Sequence, residues 1–301
     1  NSTGNFVWVK QIAGTEIVQL KSMQTDALGN VYGIGDFSGT ADFDPGSALY
    51  NITSLGSLDI FLFKLDASGN FIWAKSIGGL SGEFGNSLFL DGTGNLYCTG
   101  DFGGTIDFDP GTGIFNLAPA GRAVFVLKLS NSGTFVWAKA MEGNGFTYGN
   151  SVAVDPVGNV YTTGYFFLTV DFDPGPAVYN LTAVGGYNIF VSKLDAAGNF
   201  IFAKQIGSGS TEARGQSIKV DASGNIYTAG MFFTTGDFDP GAGMYNLTAL
   251  GDQDIFVSKL DASGNFLWAK QMGGANTSFG DAGSAISVDA AGNIYTTGYF
   301  S

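Results

Sequence analysis

The 301-residue chain contains no histidine and one cysteine, Cys98. Without imidazole, histidine-based catalytic triads, histidine zinc sites and imidazole general bases are excluded. One thiol can close no intrachain disulfide and build no thiolate cluster, so cysteine usage does not fix the compartment. Cys98 stands where other copies of a repeated phrase have Thr162, Thr228, Thr296 or Ile34, and reads as a small buried filler. Charge is scarce and one-sided, with 13 Lys and Arg against 26 Asp and Glu, a net charge of −13 and a pI near 4.1. That balance excludes a nucleic-acid partner, which needs a basic footprint. No apolar run approaches the roughly 20 residues of a membrane-spanning helix. No phosphate-binding Gly-x-x-x-x-Gly-Lys loop, signal peptide or capped helix-period segment occurs. The chain opens without Met and inside a repeat, and reads as processed or excerpted.

What is present is repetition. Gly29-Asn30-Val31-Tyr32 returns at Gly94, Gly158, Gly224 and Gly292, in steps of 64–68 residues. A second anchor, Trp8, Trp73, Trp137, Phe202 and Trp268, keeps the same step and is followed each time two residues later by Lys. A third, Asp-Phe-Asp-Pro-Gly, begins at Asp42, Asp107, Asp171 and Asp237. Length alone would suggest two domains, but units that stack on one another form one array. The expected organisation is a single array over 1–301. It comprises a partial repeat at 1–14, repeats at about 15–79, 80–143, 144–208 and 209–274, and a partial repeat at 275–301.

Each repeat reads as four short strands. In the fourth copy, Ser217–Asp221, Ile226–Phe232, Asp254–Leu260 and Phe266–Met272 are rich in β-branched or aromatic residues and bounded by Asp/Gly/Asn clusters. The Asp-x-x-Gly-Asn turn has a mechanism: Asp accepts backbone N–H bonds and Gly supplies the positive φ. The fold class is therefore all-β, and a four-stranded antiparallel meander at fixed spacing predicts a β-propeller blade. The surplus over a shorter blade falls in the Asp-Phe-Asp-Pro-Gly insert, which predicts a short edge strand or a folded loop. Phe61, Phe125, Phe190 and Phe256 are expected to pack between neighbouring blades. If the ring closes, the N-terminal fourth strand would share a fifth blade with the C-terminal hairpin.

On these phrases the chain resembles the bacterial secreted β-propeller repeat family. Its members carry tandem Asp-x-x-Gly-Asn-[Val/Ile]-Tyr-x-Thr-Gly, Asp-Ile-Phe-Val-x-Lys-Leu-Asp and Gly-Asn-Phe-x-Trp-Ala-Lys phrases. The resemblance runs through essentially the whole chain and implies a propeller at the cell surface or outside the cell. It implies no activity, because such scaffolds host many unrelated functions.

The insert is the main polar feature. Asp42/Asp44, Asp107/Asp109, Asp171/Asp173 and Asp237/Asp239 place paired carboxylates on one side of an extended segment. With turn carbonyls and water such pairs could hold calcium, the one cofactor considered. The alternative, which the spacing favours, is a plain Asp-Pro-Gly β-turn. The lysines after the aromatic anchor (Lys10, Lys75, Lys139, Lys204, Lys270) and those closing the third strand (Lys64, Lys128, Lys193, Lys259) should occupy equivalent places and neutralise nearby aspartates. Asn-x-[Ser/Thr] triplets at Asn51, Asn180, Asn246 and Asn276 are candidate glycan acceptors.

Near-identical copies without a singular polar site point to an extracellular or cell-surface structural or interaction protein, self-assembling through its open repeat ends. Its partner would then be itself. The alternative is an adhesion module for surface glycans or proteins, using Tyr165, Phe166 and Phe167 or Phe232 and Phe233. An enzyme is not expected. It would need a central pocket with carboxylates contributed unequally by different repeats.

Overall fold

The computed structural model describes residues 3–275 and 280–300, and within them the chain is all-β. Four antiparallel sheets follow in sequence, each with its strands in chain order. The first repeat contributes Val18–Thr25, Val31–Phe37, Asp59–Leu65 and Phe71–Ile77. The second contributes Phe84–Leu90, Leu96–Gly103, Arg122–Leu129 and Phe135–Gly143. The third has Phe146–Val154, Val160–Phe167, Asn188–Leu194 and Phe200–Ile206. In the fourth, Ala213–Val220 and Phe266–Met272 flank two longer strands, Ile226–Asp237 and Asn246–Leu260. A two-stranded hairpin, Ala282–Val288 and Ile294–Tyr299, begins a fifth repeat. The N-terminal Ala13–Gly14 pair not with that hairpin but with Thr40–Asp42 of the first insert.

The turns form by the expected mechanism. Asp155 Oδ1 accepts the N–H groups of Val157 and Asn159, its Oδ2 accepts the Asn159 side chain and the Tyr161 hydroxyl, and Gly158 sits at φ 91°. Asp26, Asp91, Asp221 and Asp289 bond the equivalent tyrosines, so turn and second strand are tied together.

The hydrophobic core lies between repeats. One cluster joins Ile34, Ile60 and Leu62 of the first repeat to Leu88, Cys98 and Phe125 of the second. Others join the second to the third and the third to the fourth. Phe125, Phe190 and Phe256 are buried in these layers, as expected, whereas Phe61 is buried in a cluster of its own repeat joined by Trp8 and Ile12. A fully buried Phe side chain stabilises by about 1.5–3 kcal/mol, so a repeat alone, with this face exposed, would forfeit much of its stability.

First strands of neighbouring repeats meet directly, and three devices recur there. A bulge falls in each first strand, at Lys21, Asn86, Asn150, Gln216 and Ser284, and at Asn86 and Asn150 it aims the side chain across the junction. The Asn86 amide donates to Gly149 O at 2.9 Å and Asn150 to Gly215 O at 2.9 Å. Next, Ser22, Ser87, Ser151 and Ser217 accept the N–H of Leu88, Val152, Ile218 and Ile286 in the following repeat. Finally, Gly85, Gly149 and Gly215 let the backbones approach: a Cβ there would lie 2.7 Å from Ile34, 2.6 Å from Thr99 and 2.4 Å from Thr163.

Two positions break the pattern. Leu20 stands where the later repeats have glycine, and is half exposed. Ala285 stands where the earlier repeats have the accepting serine. The faces bearing them therefore differ chemically from every junction between them.

The inserts proved to be neither simple edge strands nor loops. Each is a small hairpin, such as Thr169–Asp171 with Asn180–Thr182, and three of the four pair with the segment before their own repeat. That hairpin pairs with Glu142 and Gly143, the first insert pairs with Ala13 and Gly14, and Asp237 of the fourth pairs with Ser208. The insert phenylalanine anchors it: Phe43, Phe108, Phe172 and Phe238 are fully buried against the second- and third-strand phenylalanines at ring distances of 4.9–5.5 Å.

Candidate functional site

The eight aspartates of the inserts serve the insert hairpins. Asp42 Oδ1 accepts the N–H of Asp44 and of Tyr50, and Asp44 Oδ1 accepts the N–H of Gly46. Asp107 with Asp109, Asp171 with Asp173 and Asp237 with Asp239 repeat the same bonds. Among the described residues no group of three or more acidic or thiol side chains is arranged to hold a metal. Asn51, Asn180 and Asn246 are exposed on the return strands of these hairpins. Asn276 lies outside the described residues.

The third-strand lysines do occupy equivalent places, but their partner is aromatic. Lys64, Lys128, Lys193 and Lys259 lie 4.7–5.0 Å from the ring centroids of Tyr32, Tyr97, Tyr161 and Tyr227, their cross-strand neighbours. Lysine and tyrosine side chains on one face of adjacent strands meet in this way without an aspartate.

The proposed glycan-facing aromatics divide. Phe166 and Phe232 are fully buried, because residues on alternate sides of a strand face the core. Tyr165 and Phe167 are half-buried and belong to a cluster that the sequence did not disclose. It forms where first strands begin, second strands end and third strands start, so three separate sequence segments of each repeat converge there.

The repeats are unlike one another at this end. Equivalent first-strand positions hold Gln19, Phe84, Tyr148, Arg214 and Ala282, and equivalent second-strand positions hold Asp36, Asp101, Tyr165, Met231 and Tyr299. At the start of the third strand stand Leu58, Arg122, Tyr187 and Gln253. Both arginines of the chain are among them. The Arg122 guanidinium lies 4.8 Å from the Phe84 ring and 6.0 Å from Tyr148. Tyr148 and Tyr165 stack at 4.6 Å, and Arg214 lies 4.8 Å over Tyr165. Tyr187 meets Tyr165 edge-on at 5.4 Å and Phe167 at 5.3 Å. The result is a row of flat groups crossing three repeats.

Carboxylates hold the row in place. Asp101, almost fully buried, accepts a bond from Arg122 Nε and another from Asn86 at 3.3 Å, while Arg122 Nη2 donates to Gly82 O at 3.0 Å. Burial pushes the Asp101 carboxyl up to about 6 although Arg122 and Asn86 draw it down. Arg214 pairs with Glu212. Burial pushes the Tyr165 phenol up to about 12, with Arg214 opposing and Tyr148 adding to the rise. A cavity of about 430 Å³ opens here, lined by Phe84, Asn86, Asp101, Arg122, Tyr148 and Tyr165. The expectation of interchangeable copies without a singular polar site fails here, because these residues do not recur at the repeat spacing. Their aperiodicity was the signal in the sequence that could have found them.

With fold and site described, comparison with known proteins is informative. A family model described as a β-propeller repeat matches residues 143–165, the segment that carries Tyr148 and Tyr165. The chain carries a propeller repeat. Over 91% of its length it is also 24% identical to an uncharacterized WD repeat-containing protein of Acanthamoeba polyphaga mimivirus. The chain spans 23% of that relative's length. Both similarities agree with stacked four-stranded repeats, and the propeller-repeat match falls on the third repeat, at the centre of the flat row.

Proposed function

We propose that this propeller-repeat chain is an interaction module that binds a neutral glycan at the Phe84–Arg122–Tyr148–Tyr165–Arg214 row. One observation carries the reading: the repeats lose their equivalence at one place, and there they gather both arginines, three tyrosines and a buried aspartate. Sugar hydroxyls both donate and accept hydrogen bonds. A site with guanidinium donors, phenols that do both, and carboxylate acceptors beside flat apolar surface suits them. Neutral ligands are favoured because each arginine already faces a carboxylate, Asp101 or Glu212, and the chain as a whole is strongly acidic. Asp101 is tied to Arg122 and Asn86, an arrangement that suits holding a ligand rather than transferring its protons. The setting is extracellular or cell-surface, an inference that rests on the resemblance and on the exposed Asn51, Asn180 and Asn246 triplets.

A glycan array followed by calorimetry tests this. Wild-type protein should retain neutral oligosaccharides, with affinity little changed by salt, and Tyr148→Ala or Arg214→Gln should weaken retention at least tenfold. No binding to any glycan, or binding indifferent to both substitutions, would sink the proposal.

Self-assembly through the repeat ends is the second reading. Exposed Leu20 and Met23 on the first repeat and Tyr295 and Tyr299 on the last hairpin favour it. A head-to-tail contact built like the internal junctions would bring Leu20 to a position that those junctions fill with glycine, so assembly would need a different geometry.

A further inference from the structure

Two junctions between repeats contain a feature that the other two lack. After the fourth strand the first repeat runs Gly78-Gly79 and the fourth Gly273-Gly274, whereas the second and third have Glu142-Gly143 and Gly207-Ser208. Where Gly-Gly occurs, two acids face it from consecutive repeats: Asp59 with Glu83, and Asp254 with Asp281. The equivalent pairs at the other junctions are Ala123 with Thr147 and Asn188 with Ala213, which are neutral. Acid pair and Gly-Gly therefore vary together within one chain.

The geometry explains the association. Asp59 Oδ2 accepts the Leu55 N–H at 3.0 Å, and a Cβ on Gly78 would lie 2.2 Å from the Asp59 carboxyl carbon. The neighbouring Gly79 N–H donates to Glu83 Oε2 at 3.0 Å, and the Glu83 N–H donates to Leu58 O at 2.8 Å. Both acids thus bracket one short peptide across the junction. In the fourth repeat a Cβ on Gly273 would lie 2.3 Å from the Asp254 carboxyl carbon, and Gly274 N–H donates to Asp281 Oδ2 at 3.1 Å. Asp59, Glu83 and Asp254 are each at most 1% exposed, and Asp59 Oδ1, Glu83 Oε1 and Asp254 Oδ1 are buried without a hydrogen-bond partner. A buried carboxylate oxygen with nothing to bond is costly, and a second acid on the same dipeptide adds to the cost of charging it.

We propose that the Asp59–Glu83 pair holds a proton that fastens the first repeat to the second, making this junction pH-sensitive while the neutral ones are not. Burial, with Asp59 adding, pushes Glu83 up to about 7, and Arg122 and the Gly79 N–H oppose; burial likewise raises Asp59. A raised carboxyl means that the folded chain holds more protons than the unfolded one above the ordinary glutamate value of about 4.3. Stability from this pair is greatest below that value, declines as pH rises towards 7 and stays low above it.

Thermal melts from pH 5 to 8.5 on the whole chain test the latch. Wild-type Tm should fall across pH 5–7, and Glu83→Gln should abolish most of that fall while raising Tm at pH 8. Asp59→Asn serves as the second variant, and infrared spectra of wild-type protein should show a protonated carboxyl band at pH 6 that is lost by pH 8.5. Parallel profiles for wild type and both variants, with no such band, would overturn the proposal. Stabilisation at pH 8 by added calcium that disappears in Glu83→Gln would overturn it in favour of a bound cation.

Discussion

At the scale of single residues, the junctions rest on contrasts between copies. Gly149 is pressed against Thr99 and Val124 of the preceding repeat, whereas Leu20 at the same position faces solvent. Gly149→Leu should therefore cost about 3 kcal/mol through overpacking. Leu20→Gly should cost only about 0.5–1 kcal/mol, the backbone-entropy effect of glycine in a strand. Chemical denaturation of the two variants measures both. The turn aspartates supply a pH dependence opposite in sign to that of Glu83. At Asp195 the Asn199 backbone amide, then its side chain, holds the carboxyl below its ordinary value. Such groups contribute stability above the unfolded value and lose it as pH falls through the folded one. Melting temperature should consequently pass through a maximum on the mildly acidic side, declining steeply towards strong acid and gently towards neutrality.

Among elements, the insert hairpin is the one whose role reaches furthest beyond its own repeat. Asp171 caps it by accepting two backbone N–H bonds, and Phe172 seats it in the core. Removing the cap with Asp171→Ala should cost about 1–2 kcal/mol, from two hydrogen bonds of ordinary strength. Because the carboxylate serves the backbone, that loss should be the same with calcium or with chelator, and urea titrations under both conditions check it. A calcium-dependent loss would restore the insert aspartates as metal ligands. Strands and turns were legible in the sequence because their signals are local: alternation, Asp-x-x-Gly-Asn and a fixed step. The insert's reach to the preceding repeat was not, because Val170 opposite Gly143 is a pairing between segments that no local pattern links. The tyrosine partners of the lysines escaped for the same reason, since cross-strand register places Lys64 on Tyr32.

For the whole molecule, repetition and its interruption carry different information. The periodic residues build the stack, and reading them gave the all-β architecture and the inter-repeat phenylalanines. The candidate site is made of residues that do not recur, so a search for shared phrases passed over it. Arg122, Tyr148, Tyr165 and Arg214 are separated by up to 92 positions, yet each lies at the same end of its sheet. Their gathering is a consequence of stacking, and only the folded array shows it.

Hydrogen exchange of the complete chain, with and without a bound neutral oligosaccharide, tests the central claim most directly. The account predicts slowed exchange at 84–86, 122–123, 148–150, 165–167 and 213–215, with the Asp-x-x-Gly-Asn turns at the opposite end unchanged. Protection confined to those turns, or to the exposed face around Leu20 and Met23, would contradict it.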